Sequence, residues 1–237
     1  MDFVQIIIIS SLIVFMAFFI RGMTGFANSL ILVPLMALFL DIKIVVPIAA
    51  MLSLASGSLL FHSTKKQINK EFIFVLIFVM LGTLIGTHFL VTFGSSFLKS
   101  ILGMMVILFS IQIFFNKTFK KINKWFGAIA GIIAGILGGM FTTNGPPLVI
   151  YFGNKLQKES FRATLNVIFF VDAIWLNSLY VARGVITFEE FKLAIILLPA
   201  LIIGIFLGSK IHFKINEVLF KRVVAVILCI VGITFLF

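Results

Sequence analysis

The sequence predicts an all-α, polytopic helical membrane protein, with about 8–10 hydrophobic segments in two inverted repeats that contain broken or re-entrant helices. Three observations predict it. First, 62% of the 237 residues are hydrophobic and 11% are charged, with a mean hydropathy of +1.25, whereas a soluble domain carries roughly 25% charged residues. Second, the apolar residues gather in continuous runs long enough to cross a hydrocarbon core of about 30 Å. They lack the period-two alternation of a membrane β-strand, which favours helices over a barrel. Third, one motif occurs twice: Gly22-Met23-Thr24-Gly25 leads to Pro34, and Gly135-Ile136-Leu137-Gly138 leads to Pro147 at the same spacing.

The first segment, near residues 3–20, has Asp2 where a signal peptide has a basic region and no small-x-small site before Arg21. It is therefore expected to remain as a mature helix. The second run, 24–40, contains the first motif and Pro34; runs at 44–62, 72–93 and 97–115 follow, the fourth with Gly82-x-x-x-Gly86. A basic stretch from Lys117 to Lys124 separates the halves. Segment 6, 124–141, carries Gly127, Gly131, Gly135 and Gly138, a small-residue stripe that lets another backbone approach. Segment 7, 145–153, is too short to span. Runs at 161–182, 190–209 and 218–237 complete the second half, the ninth with Gly204-x-x-x-Gly208. The domain reading is thus a first repeat over 1–116, a cytoplasmic linker over 117–124 and a second repeat over 125–237.

The net charge of +11 is distributed by side. Connections after odd-numbered segments hold Arg21, Lys65, Lys66, Lys70, Lys117 to Lys124, Lys155, Lys158, Arg162 and Lys210 to Arg222; the other side holds only Lys43, Lys99, Arg183 and Lys192. The positive-inside rule makes the first group cytoplasmic and both termini extracytoplasmic. Five segments per repeat is odd, so the halves are expected to be inverted. The basic residues are thereby explained without nucleic acid, and contact with anionic lipid is a secondary effect.

Pro146 and Pro147 lack N–H donors and push the residues before them away from helical angles, so the segment must break near Thr143. A short helix is expected to restart near Pro147 with Asn144 close to its N-cap. Broken backbone at this depth is tolerated only where it is buried in protein or lines a wet cavity, and a helix N-terminus there suits an anion. The first repeat offers Thr24, Gly25, Asn28 and Ser29 before Pro34. The substrate-binding candidates are Arg21, Thr24, Gly25, Asn28, Thr142, Thr143, Asn144, Gly145, Arg162 and Asn166, as two half-sites of one anion pocket.

Asp172 lies about eleven residues into segment 8, roughly 16 Å along a helix, near the bilayer centre. An ionised acid there costs on the order of 3 kcal/mol. It reads either as a proton relay or as a protonated residue hydrogen-bonded to a neighbour. Arg162, Asn166, Ala173 and Asn177 fall along one stripe, with Asp172 about 120° away from Asn166, so the relay is preferred to a direct substrate contact. Arg162 reads as a topology charge or as a side chain reaching the cavity. His62 and His88 read as interfacial, and Gln112 as a helix–helix hydrogen bond. The lone Cys229 allows no internal disulfide and reads as packing. No catalytic set, phosphate loop or metal-ligand spacing is evident, so neither an enzyme, a cofactor nor a metal is expected.

The Asn144-Gly145-Pro146-Pro147-Leu148 turn followed by Tyr151, together with Phe161-Arg162-Ala163-Thr164-Leu165, resembles the sulfite exporter TauE/SafE family of membrane proteins. The resemblance covers essentially the whole chain, including the two-repeat plan. It implies a small transporter of the cell membrane that moves sulfite or organic sulfur anions such as sulfonates, with export favoured. One departure is that many members cluster three glycines in the first motif, where this chain has Gly25-Phe26-Ala27-Asn28. Expected partners are a small anion, protons and the lipid bilayer, with a homodimer allowed and no nucleic acid. A channel, or an importer of a related organic anion, is the alternative.

Overall fold

The computed structural model describes residues 2–25, 28–61, 71–115, 123–153, 155–211 and 217–236. Among them are ten helices and no strand: α1 (Phe3–Thr24), α2 (Asn28–Ala37), α3 (Ile42–Phe61), α4 (Phe72–Thr92), α5 (Ser95–Phe115), α6 (Lys124–Phe141), α7 (Gly145–Gly153), α8 (Lys158–Ala182), α9 (Phe188–Ile211) and α10 (Glu217–Thr234). In hydrocarbon each backbone N–H and C=O must find its partner inside its own segment, which is why runs of Ile, Leu, Val and Phe become helices here. Seven of the ten, α1, α3, α4, α5, α6, α8 and α9, are long and apolar enough to cross a membrane. The chain is a polytopic helical membrane protein. The outward face of α4, with Ile73, Ile77, Leu81 and Ile85 exposed, suits lipid tails. His62 and the basic linker from Lys117 to Ile122 lie outside the described residues, whereas His88 is exposed in the last turn of α4 and Gln112 is half-buried in α5.

The second run, 24–40, is not one spanning helix. Thr24 ends α1, and Gly25 caps it in the left-handed region at φ 89° with its N–H on Arg21 O. The helix that follows has 10 residues, about 15 Å long and half of the roughly 30 Å that a crossing needs. It stops where Leu40 N–H turns back onto Met36 O at 2.9 Å. Asp41 then opens α3, its Oδ1 accepting from Lys43 N–H at 2.8 Å. Helix α7 is likewise short, with 9 residues.

The chain folds as two compact units, each drawn from both halves of the sequence. Unit 1 comprises Met1–Val45, Phe93–Lys117 and Ile195–Phe237, and unit 2 comprises Val46–Thr92 and Thr118–Ala194. In unit 2, α4 lies on α6 backbone to backbone: a Cβ on Gly82 or Gly86 would run into Ile132 O or Ile136 O, and one on Gly139 would stand 2.5 Å from Thr83 O. Within the predicted glycine stripe, Gly131 and Gly135 make this crossing, Gly127 seats the ring of Tyr151, and Gly138 faces Asn144 and Asp172. In unit 1, α9 lies on α1 in the same manner, with Gly22 against Ile205 O and Gly204 against Phe15 O, each at 2.6 Å from a built Cβ. Gly103 and Gly232 bring α5 and α10 together there.

Candidate functional site

The polar centre of unit 2 forms where α6 breaks. Thr142 caps α6 in the left-handed region at φ 58°, a conformation that costs a β-branched residue about 1–3 kcal/mol. Three contacts hold it: its N–H donates to Gly138 O at 2.7 Å, its hydroxyl donates to Val46 O at 3.3 Å, and the next N–H, of Thr143, donates to Leu137 O at 3.4 Å. The Thr143 hydroxyl turns onto Phe141 O at 3.0 Å. Asn144 then precedes α7, as the Pro-Pro pair predicts. Two of the first four N–H positions of α7 belong to Pro146 and Pro147, so its N-terminus keeps only the Gly145 and Leu148 donors.

Asp172 on α8 is 1% exposed, and both of its oxygens are occupied. Thr83 on α4 donates its hydroxyl to Oδ1 at 2.7 Å, and Asn144 donates its amide to Oδ2 at 2.8 Å. One carboxylate thus joins α4, the break and α8. The Asn144 amide points at an acid rather than being left for an incoming anion. Gly138 makes room for the arrangement, since a Cβ there would stand 3.2 Å from Asn144 Cβ and 3.5 Å from Asp172 Oδ2. Tyr180, one helical face further along α8, donates its hydroxyl to Gly139 O at 2.8 Å. Asn177 donates to Ala50 O and Ala173 O, which ties α8 to α3. A carboxylate held only by neutral donors can take up or release a proton without breaking an ion pair.

The other candidates divide between the units. Asn166 is buried in α8, and its Oδ1 has no hydrogen-bond partner among the described residues. Arg162 is half-buried in the second turn of α8. Gly145 opens α7 and is buried. Arg21, Thr24, Gly25 and Asn28 belong to unit 1. There Arg21 is 3% exposed and donates Nη1 to Asn28 Oδ1 at 3.0 Å, Asn28 donates to Ser29 Oγ at 3.2 Å, and the Thr24 hydroxyl returns to Ile20 O at 2.9 Å.

Sequence reasoning passed over Thr83, Tyr180 and a cluster at the far end of α7. In that cluster Lys155 Nζ donates to Tyr151 Oη at 2.9 Å and pairs with Glu71 at 3.1 Å. Partial burial works against the Lys155 ammonium, but the bonds to Tyr151 and Glu71 outweigh it and hold its pKa above the ordinary lysine value. Thr83 was findable as the hydroxyl directly after Gly82 in a close-packed crossing. Among the described residues no group of three or more His, Cys, Asp or Glu side chains could hold a metal ion.

The family described as Sulfite exporter TauE/SafE matches residues 10–235 of this chain. The chain belongs to the sulfite exporter TauE/SafE family. No curated protein and no solved structure matches it. The TauE/SafE match spans both repeats of the motif, and hence both short helices, α2 and α7, with the polar residues at their starts. Membership places the chain in a family of multi-pass membrane transporters.

Proposed function

We propose that this protein is a secondary transporter that carries a small sulfur-containing anion, sulfite or a sulfonate, out of the cell across the inner membrane, with proton exchange at Asp172. One observation carries the reading: at the α6–α7 break of a membrane transporter, a fully buried carboxylate binds the broken backbone segment to two helices through neutral donors only. Movement of that segment and a change in the proton on Asp172 are then coupled by contact. The sequence holds no nucleotide-binding loop, so transport runs on gradients. The motif repeat and the odd segment number support halves of opposite orientation, and the sorting of lysines supports extracytoplasmic termini. Cysteines replacing Lys155 and Arg183 should label from the cytoplasm and from outside, respectively; labelling from one side contradicts this topology.

The experiment is flux in proteoliposomes of the purified protein. Sulfite or methanesulfonate efflux should saturate, show counterflow and respond to an imposed pH gradient, while chloride and sulfate move slowly. An unsaturable conductance without counterflow would make the protein a pore and overturn the carrier reading. Saturable movement confined to the inward direction would reverse the assigned role to import.

A further inference from the structure

Arg21 sits in the last turn of α1, 3% exposed. Its Nη1 is held by Asn28 Oδ1 at 3.0 Å, and Asn28 is itself oriented by Ser29 at 3.2 Å. No described residue accepts from Nε, and no described carboxylate stands within ion-pair distance of the guanidinium. Arginine keeps its charge even when buried, and a buried charge without a counter-charge is strongly unfavourable. The Asn28 amide oxygen satisfies one N–H but cancels no charge. On a guanidinium held at Nη1, Nε and Nη2 make a parallel fork that matches two oxygens of one oxyanion.

We propose that Arg21 is the counter-charge of the transported anion, with Asn28 fixing Nη1 so that the Nε edge meets two of the anion's oxygens. Sulfite and sulfonates both offer three oxygens on one sulfur, whereas chloride cannot bridge the fork. The assignment rests on the transporter reading given above. A phospholipid phosphate presents the same oxyanion chemistry, so the test separates the two.

Thermal stability of the purified protein is measured with sulfite, methanesulfonate and chloride, in neutral detergent and in nanodiscs with or without phosphatidylglycerol, beside proteoliposome flux. Sulfite and methanesulfonate should raise the wild-type Tm and chloride should not. Arg21→Gln should lose that shift and raise KM at least about tenfold, with Arg21→Lys between. Asn28→Asp supplies a built-in carboxylate: the anion-free protein should be more heat-stable and its response to sulfite gone. That variant decides the matter if Arg21→Gln does not fold, because a purely structural Arg21 predicts an unchanged sulfite response in it. A wild-type KM in Arg21→Gln, a wild-type sulfite shift in Asn28→Asp, or stabilisation by phosphatidylglycerol alone overturns the assignment. Absence of any flux from the wild type removes the transporter reading itself, whereas wild-type flux with unchanged KM in Arg21→Gln removes only the role of Arg21.

Discussion

In unit 2, α4 lies on α6 through Gly82, Gly86, Gly135 and Gly139; in unit 1, α9 lies on α1 through Gly22, Gly204 and Gly208. Each GxxxG helix therefore packs on the first long helix of the opposite half of the sequence. Beside each crossing a short helix begins, and at each start a charged side chain is joined to an asparagine and a hydroxyl. The chemistry is opposite. In unit 2 the charge is the acid Asp172, and Thr83 and Asn144 occupy both of its oxygens. In unit 1 the charge is the cation Arg21, held at Nη1 and without an acceptor at Nε among the described residues. A common scaffold is filled with one charge satisfied on both oxygens and one whose Nε meets no acceptor among the described residues, and this difference is the ground on which we propose proton exchange for the first and anion recognition for the second.

The largest effects should come from the shared crossings. Gly135→Val in unit 2 or Gly208→Val in unit 1 sets a branched side chain against backbone that cannot yield; overpacking costs typically 1–3 kcal/mol, and more where the obstacle is backbone. Both variants should lose most of the monodisperse protein in detergent, read by size-exclusion chromatography. Normal recovery of one but not the other would show that the two crossings are not equivalent. Next in size is Asn144→Leu, which strips Asp172 of one donor and leaves a buried oxygen unsatisfied, at about 1–3 kcal/mol. Sulfite flux should fall to background while the protein still inserts and purifies. Flux near wild type would move the site away from the α6–α7 break. Thr83→Val removes the other donor without touching the break, so it should slow flux several-fold and spare the sulfite-induced Tm shift.

The smallest effect belongs to Glu71→Gln. The Lys155–Glu71 pair is partly solvent-exposed, with side-chain exposures of 25% and 41%, and pairs open to solvent contribute about 0–1 kcal/mol. The folded-state pKa of Lys155 is raised from the ordinary 10.5. The stabilisation is therefore complete below that value and is lost as pH rises through the folded pKa. Wild type and Glu71→Gln should keep a constant small Tm difference from neutral pH up to the lysine range and converge above it. A gap that changes between pH 5 and 8 would mean that another group titrates in the cluster.

Much of the fold was legible because lipid imposes it: continuous apolar runs can only be helices, and Pro146-Pro147 can only break one. The short length of α2 was not, since residues 30–40 are apolar throughout and the breaks lie in the left-handed cap at Gly25 and the turn after Met36, neither of which interrupts hydropathy. Of the candidate site, Asp172 was legible as an acid at membrane depth and Asn144 as the residue before the restarted helix. Their contact was not, because it joins residues 28 apart across a break whose direction periodicity does not define. The partner of Thr83 was hidden for the same reason, since the hydroxyl lies 89 residues from Asp172. The exchange of partners between halves, with α4 on α6 and α9 on α1, is a tertiary choice that matching glycine patterns allow but do not order.

The division of labour between the two buried charges is tested most directly by sulfite movement in proteoliposomes of wild type and Asp172→Asn, with and without an imposed pH gradient. Asparagine keeps the size of the side chain and can still bond Thr83 and Asn144 after reorienting, so the fold and sulfite–sulfite exchange should persist. Accumulation driven by the pH gradient should vanish. Gradient-driven accumulation at the wild-type level in folded Asp172→Asn protein would contradict the account and leave Asp172 as a structural tie between α4, α8 and the break.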